Sequence, residues 1–116
     1  MTREQFENLR DDFLVHEARI LDWKRDEYSE GTDCLQNFRE AANFLGQRPA
    51  EVALSYLMKH IQSIALAVRS QSYSWAWQTD KGEGLKQRIA DARNYLLLLA
   101  ACLEEENEEN DTLPAV

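Results

Sequence analysis

The sequence has few cysteines and no long apolar run. Its only cysteines are Cys34 and Cys102, and because no secretory signal accompanies them, both are expected to be free thiols in a reducing compartment. No stretch reaches the roughly 18 apolar residues that a membrane-spanning helix requires. We also find no charged-then-apolar targeting pattern near the N-terminus. These absences predict a cytoplasmic protein.

Basic residues are scarce as well, at 13 Lys and Arg against 21 Asp and Glu, which gives a formal net charge of −8. Much of this charge lies near the C-terminus in acidic residues with no base among them, namely Glu104, Glu105, Glu106, Glu108, Glu109 and Asp111. A non-specific duplex-DNA binder needs a basic stripe that neutralises phosphates, so the sequence argues against this class. We expect residues 107–116 to form an acidic disordered tail and residues 1–106 to form a single helical domain.

Glycine and proline are rare, and apolar residues recur with helical spacing between them. Four helices are predicted, over about residues 2–28, 34–45, 49–70 and 85–106. Thr2 and Gln5 have capping-box spacing at the start of the first, and Pro49 suits the first turn of the third. The predicted fold is all-α, a four-helix domain with a long N-terminal amphipathic helix.

The last helix is predicted to be the central one. Between Tyr95 and Leu103 every residue is aliphatic, small or aromatic, and a helix that is apolar on all sides is normally surrounded by other elements. Asp91 and Asn94 are three residues apart and share a face of this helix. Because burying unpaired polar groups costs a few kcal/mol, these two residues need partners.

An aromatic loop over residues 70–84 precedes the central helix. Tyr73, Trp75 and Trp77 alternate there with small residues, a spacing that fits a short extended piece with its aromatics on one side. The loop could be a lid, a surface for a protein partner, or a segment that its tryptophans anchor to the domain.

The usual enzyme signatures are absent, since there is no P-loop, Rossmann glycine pattern, zinc-ligand spacing or nucleophile elbow. What remains is a set of polar residues among apolar ones, namely Glu27, Glu30, Asn37, Lys59, His60, Arg88, Asp91 and Asn94. Carboxylates from different helices of a bundle are suited to holding magnesium. The cationic side chains are suited to phosphate oxygens, and the asparagines to a base or a sugar hydroxyl. The set therefore predicts a nucleotide or phosphate site.

A purely structural arrangement explains the same residues. In it, Lys59 and Asp91 form one buried ion pair, while Asn37 and Asn94 satisfy backbone groups. Such a pair gives little net stability but fixes how the helices are aligned. The residues alone leave both interpretations open.

Three blocks of the sequence carry a resemblance to known proteins: Lys24–Phe38, Tyr56–His60 and Arg88–Tyr95. Together they look like a group of small phage and prophage proteins near the nucleotide-modification-associated domains of unknown function. More distantly, the layout is similar to the all-α nucleoside triphosphate pyrophosphohydrolases of the MazG and dimeric dUTPase types.

These pyrophosphohydrolases hold magnesium with an E-x-x-E pair on one helix and an E-x-x-D pair on the next. Glu27 and Glu30 have the first spacing, whereas Asp91 and Asn94 stand in place of the second pair. The resemblance implies a cytoplasmic protein of a bacterial host that binds a nucleotide and hydrolyses it with magnesium. In the implied site, the metal ligands are Glu27, Glu30 and Asp91, the phosphate contacts are Lys59, His60 and Arg88, and the sugar or base contacts are Asn37, Asn94 and Tyr28.

A second hypothesis comes from a different class of function. The chain would be a non-enzymatic interaction module that acts on a host or phage protein through Tyr73, Trp75 and Trp77, because aromatic side chains anchor interfaces. Under both hypotheses we expect a homodimer, since the predicted apolar helices exceed what one small core covers.

Overall fold

The computed structural model describes the backbone of residues 1–28 and 33–112 and the side chains of residues 1–25 and 33–109. Its helices are α1 (Arg3–Tyr28), α2 (Gln36–Leu45), α3 (Pro49–Ser70) and α4 (Leu85–Thr112). Between α3 and α4, strands β1 (Gln78–Thr79) and β2 (Gly82–Glu83) form a short antiparallel hairpin. The predicted all-α four-helix domain is thereby confirmed. None of the described helices is both long and apolar enough to cross a membrane.

The helix ends follow local sequence chemistry. The Thr2 hydroxyl accepts a hydrogen bond from the Gln5 backbone N–H at 3.1 Å, and the Gln5 side chain accepts one from Thr2 N at 2.8 Å, which completes the predicted capping box of α1. At α3, Glu51 Oε1 accepts a hydrogen bond from the Arg48 N–H at 3.0 Å. Gly46 ends α2 in the left-handed region with φ +66°, a conformation that glycine adopts without steric cost.

α3 and α4 form an antiparallel hairpin at the centre of the domain. His60 contacts Tyr95, and Ser63 contacts Arg88, so residue numbers rise along one helix as they fall along the other. Fully buried Ala53 lies on α3 within the main core, where a small side chain allows close packing. α2 packs on α3, and α1 packs on α4. The core cluster consists of Leu35, Phe38, Ala42, Ala50, Val52, Ala53 and Cys102.

α4 is not surrounded as the sequence predicted. Leu96 and Leu97 are 52% and 58% exposed, and Leu103 is also exposed. The reason is that α1, α2 and α3 all lie against other sides of α4, and no described element of this chain covers the side that these leucines occupy.

The acidic stretch of α4 continues the helix to Thr112, past residue 106, where the sequence predicted the tail to begin. Two arginines offset part of its charge. Arg39 of α2 contacts Glu105 at 2.8 Å, and Arg48 contacts Glu106 at 3.1 Å. Each pair is partly exposed and therefore stabilises only modestly, but both reduce the repulsion between neighbouring acids. Residues 113–116 lie outside the described residues.

The aromatic loop is anchored by one of its three aromatics. The Trp77 ring stacks on His16 of α1, with centroids 3.9 Å apart, and contacts Phe13 at 4.8 Å. Tyr73 and Trp75 remain about half exposed, at 48% and 51%. Of the alternatives for this loop, the structure therefore supports an anchor on the domain through Trp77, and it leaves Tyr73 and Trp75 exposed.

Trp77→Ala should destabilise the fold by about 2–3 kcal/mol, because it removes a half-buried ring that fastens the loop to α1. Trp75→Ala should cost less than about 1 kcal/mol, since Trp75 is exposed and the charge of Lys86 lies 5.3 Å from its ring centroid. Urea denaturation of both variants measures the difference. Equal losses would contradict the assignment of Trp77 as the anchor.

Candidate functional site

A cavity of about 580 Å³ lies where α1, α2 and α4 converge. Its volume is within the range of about 300–1,000 Å³ that is usual for small-molecule sites. α3 contributes Tyr56 to the lining of this cavity. The cavity is lined by Leu21, Lys24, Arg25, Cys34, Asn37, Phe38, Glu40, Ala41, Tyr56, Asp91, Asn94, Tyr95 and Leu98.

The polar side of the cavity is an ion pair between α4 and α1. Asp91 is only 2% exposed, and its carboxylate accepts a hydrogen bond from Lys24 Nζ at 3.0 Å. Burial alone would lower the pKa of Lys24, but the hydrogen bond and the charge of Asp91 outweigh it and raise that pKa. Lys24 is therefore firmly cationic at neutral pH, and its ammonium group faces the interior of the site.

Asn94 of α4 also finds its partner on α1. Its side-chain amide donates a hydrogen bond to the Glu17 carbonyl of α1 at 3.1 Å, while the Glu17 carboxylate is ion-paired with Arg93. Burial raises the pKa of Glu17, and the charge of Arg93 partly offsets that rise. Both polar residues that the sequence placed on the central helix are thus satisfied by α1.

Three aromatic rings also line the cavity. Phe38, Tyr56 and Tyr95 contact one another with ring centroids 6.0–6.4 Å apart, and all three line the cavity. Tilted and edge-on pairs at such distances stabilise each other and restrict ring motion. The site therefore combines an apolar ring surface with a few polar groups.

The mouth of the cavity is polar and accessible. Arg25 follows Lys24 on α1, and Asn37 and Glu40 lie on α2; each is exposed. Cys34 is also exposed at this edge, whereas Cys102 is buried. Burial raises the pKa of the Cys102 thiol, so Cys34 is the more reactive of the two.

The structure brings together only part of the predicted site. Asn37, Asp91 and Asn94 line the cavity, whereas Lys59, His60 and Arg88 do not line it. Lys59 is exposed beside the Tyr56 ring at 5.7 Å. Arg88 donates a hydrogen bond to Ser63 at 3.2 Å, and His60 lies behind Tyr95, with ring centroids 4.8 Å apart. The side chains of Glu27 and Tyr28, and the whole of Glu30, lie outside the described residues.

The expected ion pair has a different cation. Asp91 pairs with Lys24, not with Lys59, because Asp91 points toward α1, whereas Lys59 lies on an exposed side of α3. Lys24 was not among the candidate residues, although it lies one turn after Leu21 on the apolar stripe of α1. A cation on an otherwise apolar helix face is the signal that points to a buried partner.

The magnesium ligands implied by the resemblance can be compared with the donors present. Among the described side chains, no three His, Cys, Asp or Glu residues converge in a way that could hold a metal ion. Asp91 is the one candidate metal ligand described there, and a lysine ammonium already lies against it. Magnesium usually binds through carboxylates backed by waters and phosphates, so the described donors do not fit a magnesium centre.

The chain was compared with known proteins in three ways. No protein-family model matches it, and neither a curated protein nor a solved structure matches it. The chemistry of the cavity lining is therefore the guide to its function.

Lys24→Met should destabilise the fold more than Asp91→Asn does. Removing Lys24 leaves an almost fully buried carboxylate without its cation, at a cost of about 3 kcal/mol. Removing the Asp91 charge leaves a lysine whose side chain is 24% exposed and can turn toward water, so the cost should be about 1 kcal/mol. Chemical denaturation of the two variants is the measurement, and the reverse order would contradict this account of the pair.

The pH dependence of stability should carry a contribution from His60. Burial, as the largest effect, lowers the pKa of His60, although the charge of Asp91 acts in the opposite direction. The stability that neutral His60 contributes is therefore fully present above the unfolded-state pKa of about 6.5, and it is lost as the pH falls through the folded-state pKa.

Unfolding midpoints of the wild-type protein and His60→Gln between about pH 7 and about pH 5 test this. The wild-type protein should lose more stability than the variant over that range. An NMR titration that placed the His60 pKa at or above its ordinary value would show that the side chain is not buried as described.

Proposed function

We propose that the cavity binds a nucleotide or a similar small molecule that carries a phosphate. The observation that carries the proposal is the pairing of an aromatic wall, formed by Phe38, Tyr56 and Tyr95, with the half-buried Lys24 in one cavity. Ligand sites are typically apolar concavities with a few convergent polar groups. Such a lining suits a ligand that combines a planar base with a charged phosphate.

The base would lie against the aromatic wall. Tyr56 and Tyr95 offer apolar ring surface on one side of the cavity, and planar rings pack favourably on aromatic faces. The Asn37 side chain at the mouth carries both a hydrogen-bond donor and an acceptor. An amide of this kind pairs with a heterocycle edge or a sugar hydroxyl.

The phosphate would lie toward α1, near Lys24 and Arg25. These residues take the place of Lys59, His60 and Arg88, which stand outside the cavity. A guanidinium provides several donors for phosphate oxygens, and Arg25 is accessible at the mouth. Asp91 neutralises Lys24 on the interior side, so the phosphate is best placed on the Arg25 side, away from that carboxylate.

Hydrolysis is a further step of the proposal, and it rests on the resemblance. A pyrophosphohydrolase-like reaction with magnesium would require Glu27 and Glu30 in addition to Asp91. The binding function does not depend on this step, because Lys24, Arg25, Asn37 and the aromatic wall act without a metal. The proposed minimal function is therefore nucleotide binding.

Cys34 provides a direct probe of the cavity. The chain has one other cysteine, which is buried, so a thiol reagent should modify Cys34 in the folded protein. A bound nucleotide should slow that modification and raise the thermal midpoint. Free nucleotide at 100 times its dissociation constant adds about 2.7 kcal/mol of stability. Mono-, di- and triphosphates of each base are screened with and without magnesium.

Asn37→Ala tests whether the effect comes from this cavity. Asn43 serves as the matched control, because it is an exposed asparagine on α2 that does not line the cavity. Asn37→Ala should weaken binding about tenfold, and Asn43→Ala should leave it unchanged. The proposal is overturned if no nucleotide protects Cys34 or raises the midpoint, or if both variants bind like the wild-type protein.

A second candidate function is supported by the exposure of Tyr73 and Trp75 on the loop before α4. Large exposed aromatics anchor protein interfaces, so these two residues could contact a host or phage protein. Trp77 no longer belongs to this surface, since it packs on α1. A folded protein that responds to no nucleotide in the screen would favour this candidate.

A further inference from the structure

α3 carries an apolar stripe that no described part of this chain covers. The stripe consists of Leu54, Met58, Ile61, Ala65 and Val68, separated alternately by four and three residues. Its four larger members are 44–56% exposed. Alternating spacings of four and three place side chains in one line along a helix, as in the contact seam between paired helices.

α4 widens this stripe into a face. The antiparallel contact of His60 with Tyr95 places Leu96 beside Met58, and Leu96 is itself 52% exposed. Leu96 lies two positions from Asn94, which lines the cavity, and is therefore about 200° around the helix from it. The face is thus on the opposite side of the α3–α4 hairpin from α1, α2 and the cavity. It is called the outer face below.

We propose that the outer face is the contact surface between two copies of this chain. α3 would cross the same helix of its partner in an antiparallel direction, with a two-fold axis passing near Ile61. A two-fold interface uses the same surface on both copies. The stripe satisfies this condition, because Leu54 and Val68 are equally far from Ile61 along the sequence, and each would meet the other on the partner.

Charge along the edge of the stripe matches this arrangement. Glu51 and Arg69 are eighteen residues apart, which is five turns of helix, so both lie on the same edge at opposite ends of α3. An antiparallel two-fold arrangement would place Glu51 of each copy beside the partner's Arg69. Glu51 engages Arg48 through Oε1, and Arg69 is exposed, so opposite charges would meet at both ends.

The size of the face suits a second copy. From Leu54 to Val68 the stripe extends over about 21 Å of helix, and two helices side by side are about 20 Å wide. Each copy therefore offers about 400 Å² of largely apolar surface, a size at which exposed patches mark interaction sites. The charged edges would add to the roughly 800 Å² contributed by both copies and bring the interface toward the 1,200–2,000 Å² of specific complexes.

This inference does not depend on the proposed nucleotide site, because the cavity opens on the other side of the hairpin. Its first test is the mass of the protein in solution over a wide range of concentrations. Light scattering should report twice the chain mass of 13.5 kDa. Ile61→Glu should weaken the dimer at least a hundredfold, because it places two carboxylates at the axis.

Leu66→Glu is the matched control. Leu66 is on the same helix and is 70% exposed, but it lies about 140° around α3 from Ile61. This variant should remain dimeric, and circular dichroism should show both variants fully helical. A wild-type monomer at every concentration overturns the proposal, and so does a dimer that Ile61→Glu leaves intact or that both variants disrupt equally.

Cysteine cross-linking tests the position of the axis. In a Cys34→Ser background, Ile61→Cys should form a disulfide with the partner's copy, because a residue near a two-fold axis meets itself. Leu54→Cys alone should not cross-link, whereas a mixture of Leu54→Cys and Val68→Cys chains should. Cross-linking of Leu54→Cys with itself, or none for Ile61→Cys, overturns the antiparallel arrangement.

Discussion

The buried carboxylate of Asp91 is the constraint on which the position of α1 depends. An almost fully buried negative charge must be paired, and its cation comes from α1, near the C-terminal end of that helix. Asn94 adds a hydrogen bond from α4 to the α1 backbone, and Arg93 adds an ion pair with Glu17. These directed polar contacts fix both the rotation of α1 and its alignment along α4. An interface of this kind adds less net stability than apolar packing but allows few alternative arrangements.

The cavity follows from that arrangement. α2 is fastened to α3 by the apolar core around Phe38 and Val52. Lys24 of α1 is paired with Asp91 of α4, and the cavity lies between these two attachments. Tyr56 of α3, Lys24 of α1, and Asp91 and Tyr95 of α4 all line this space. The site therefore combines aromatic rings with an ion pair between helices.

The sequence predicted the helices well, because apolar spacing, the Thr2–Gln5 cap and Pro49 are local signals. It did not predict which helix faces meet, since that depends on rotations of each helix that a local pattern leaves undetermined. Lys59 and Lys24 each lie near apolar residues of their helices, and only the rotation of α4 decides that Asp91 reaches Lys24. The same limit applies to Arg88, whose guanidinium group is suited to binding phosphate but lies beside Ser63. Trp77 was one of three similar aromatics in the sequence, and only the proximity of α1 distinguishes it.

The apolar character of α4 unites the two proposed surfaces. A helix that is apolar on every side is normally covered on every side, yet one chain covers α4 only toward α1, α2 and α3. The residues that face those helices include the polar pair Asp91 and Asn94, whereas the uncovered side carries Leu96 and Leu103. A monomer would thus leave these two leucines in water, whereas the polar pair on the covered side already has its partners on α1. A second copy on the outer face, as proposed, would bury Leu96, while Asp91 and Asn94 would keep the partners that α1 supplies.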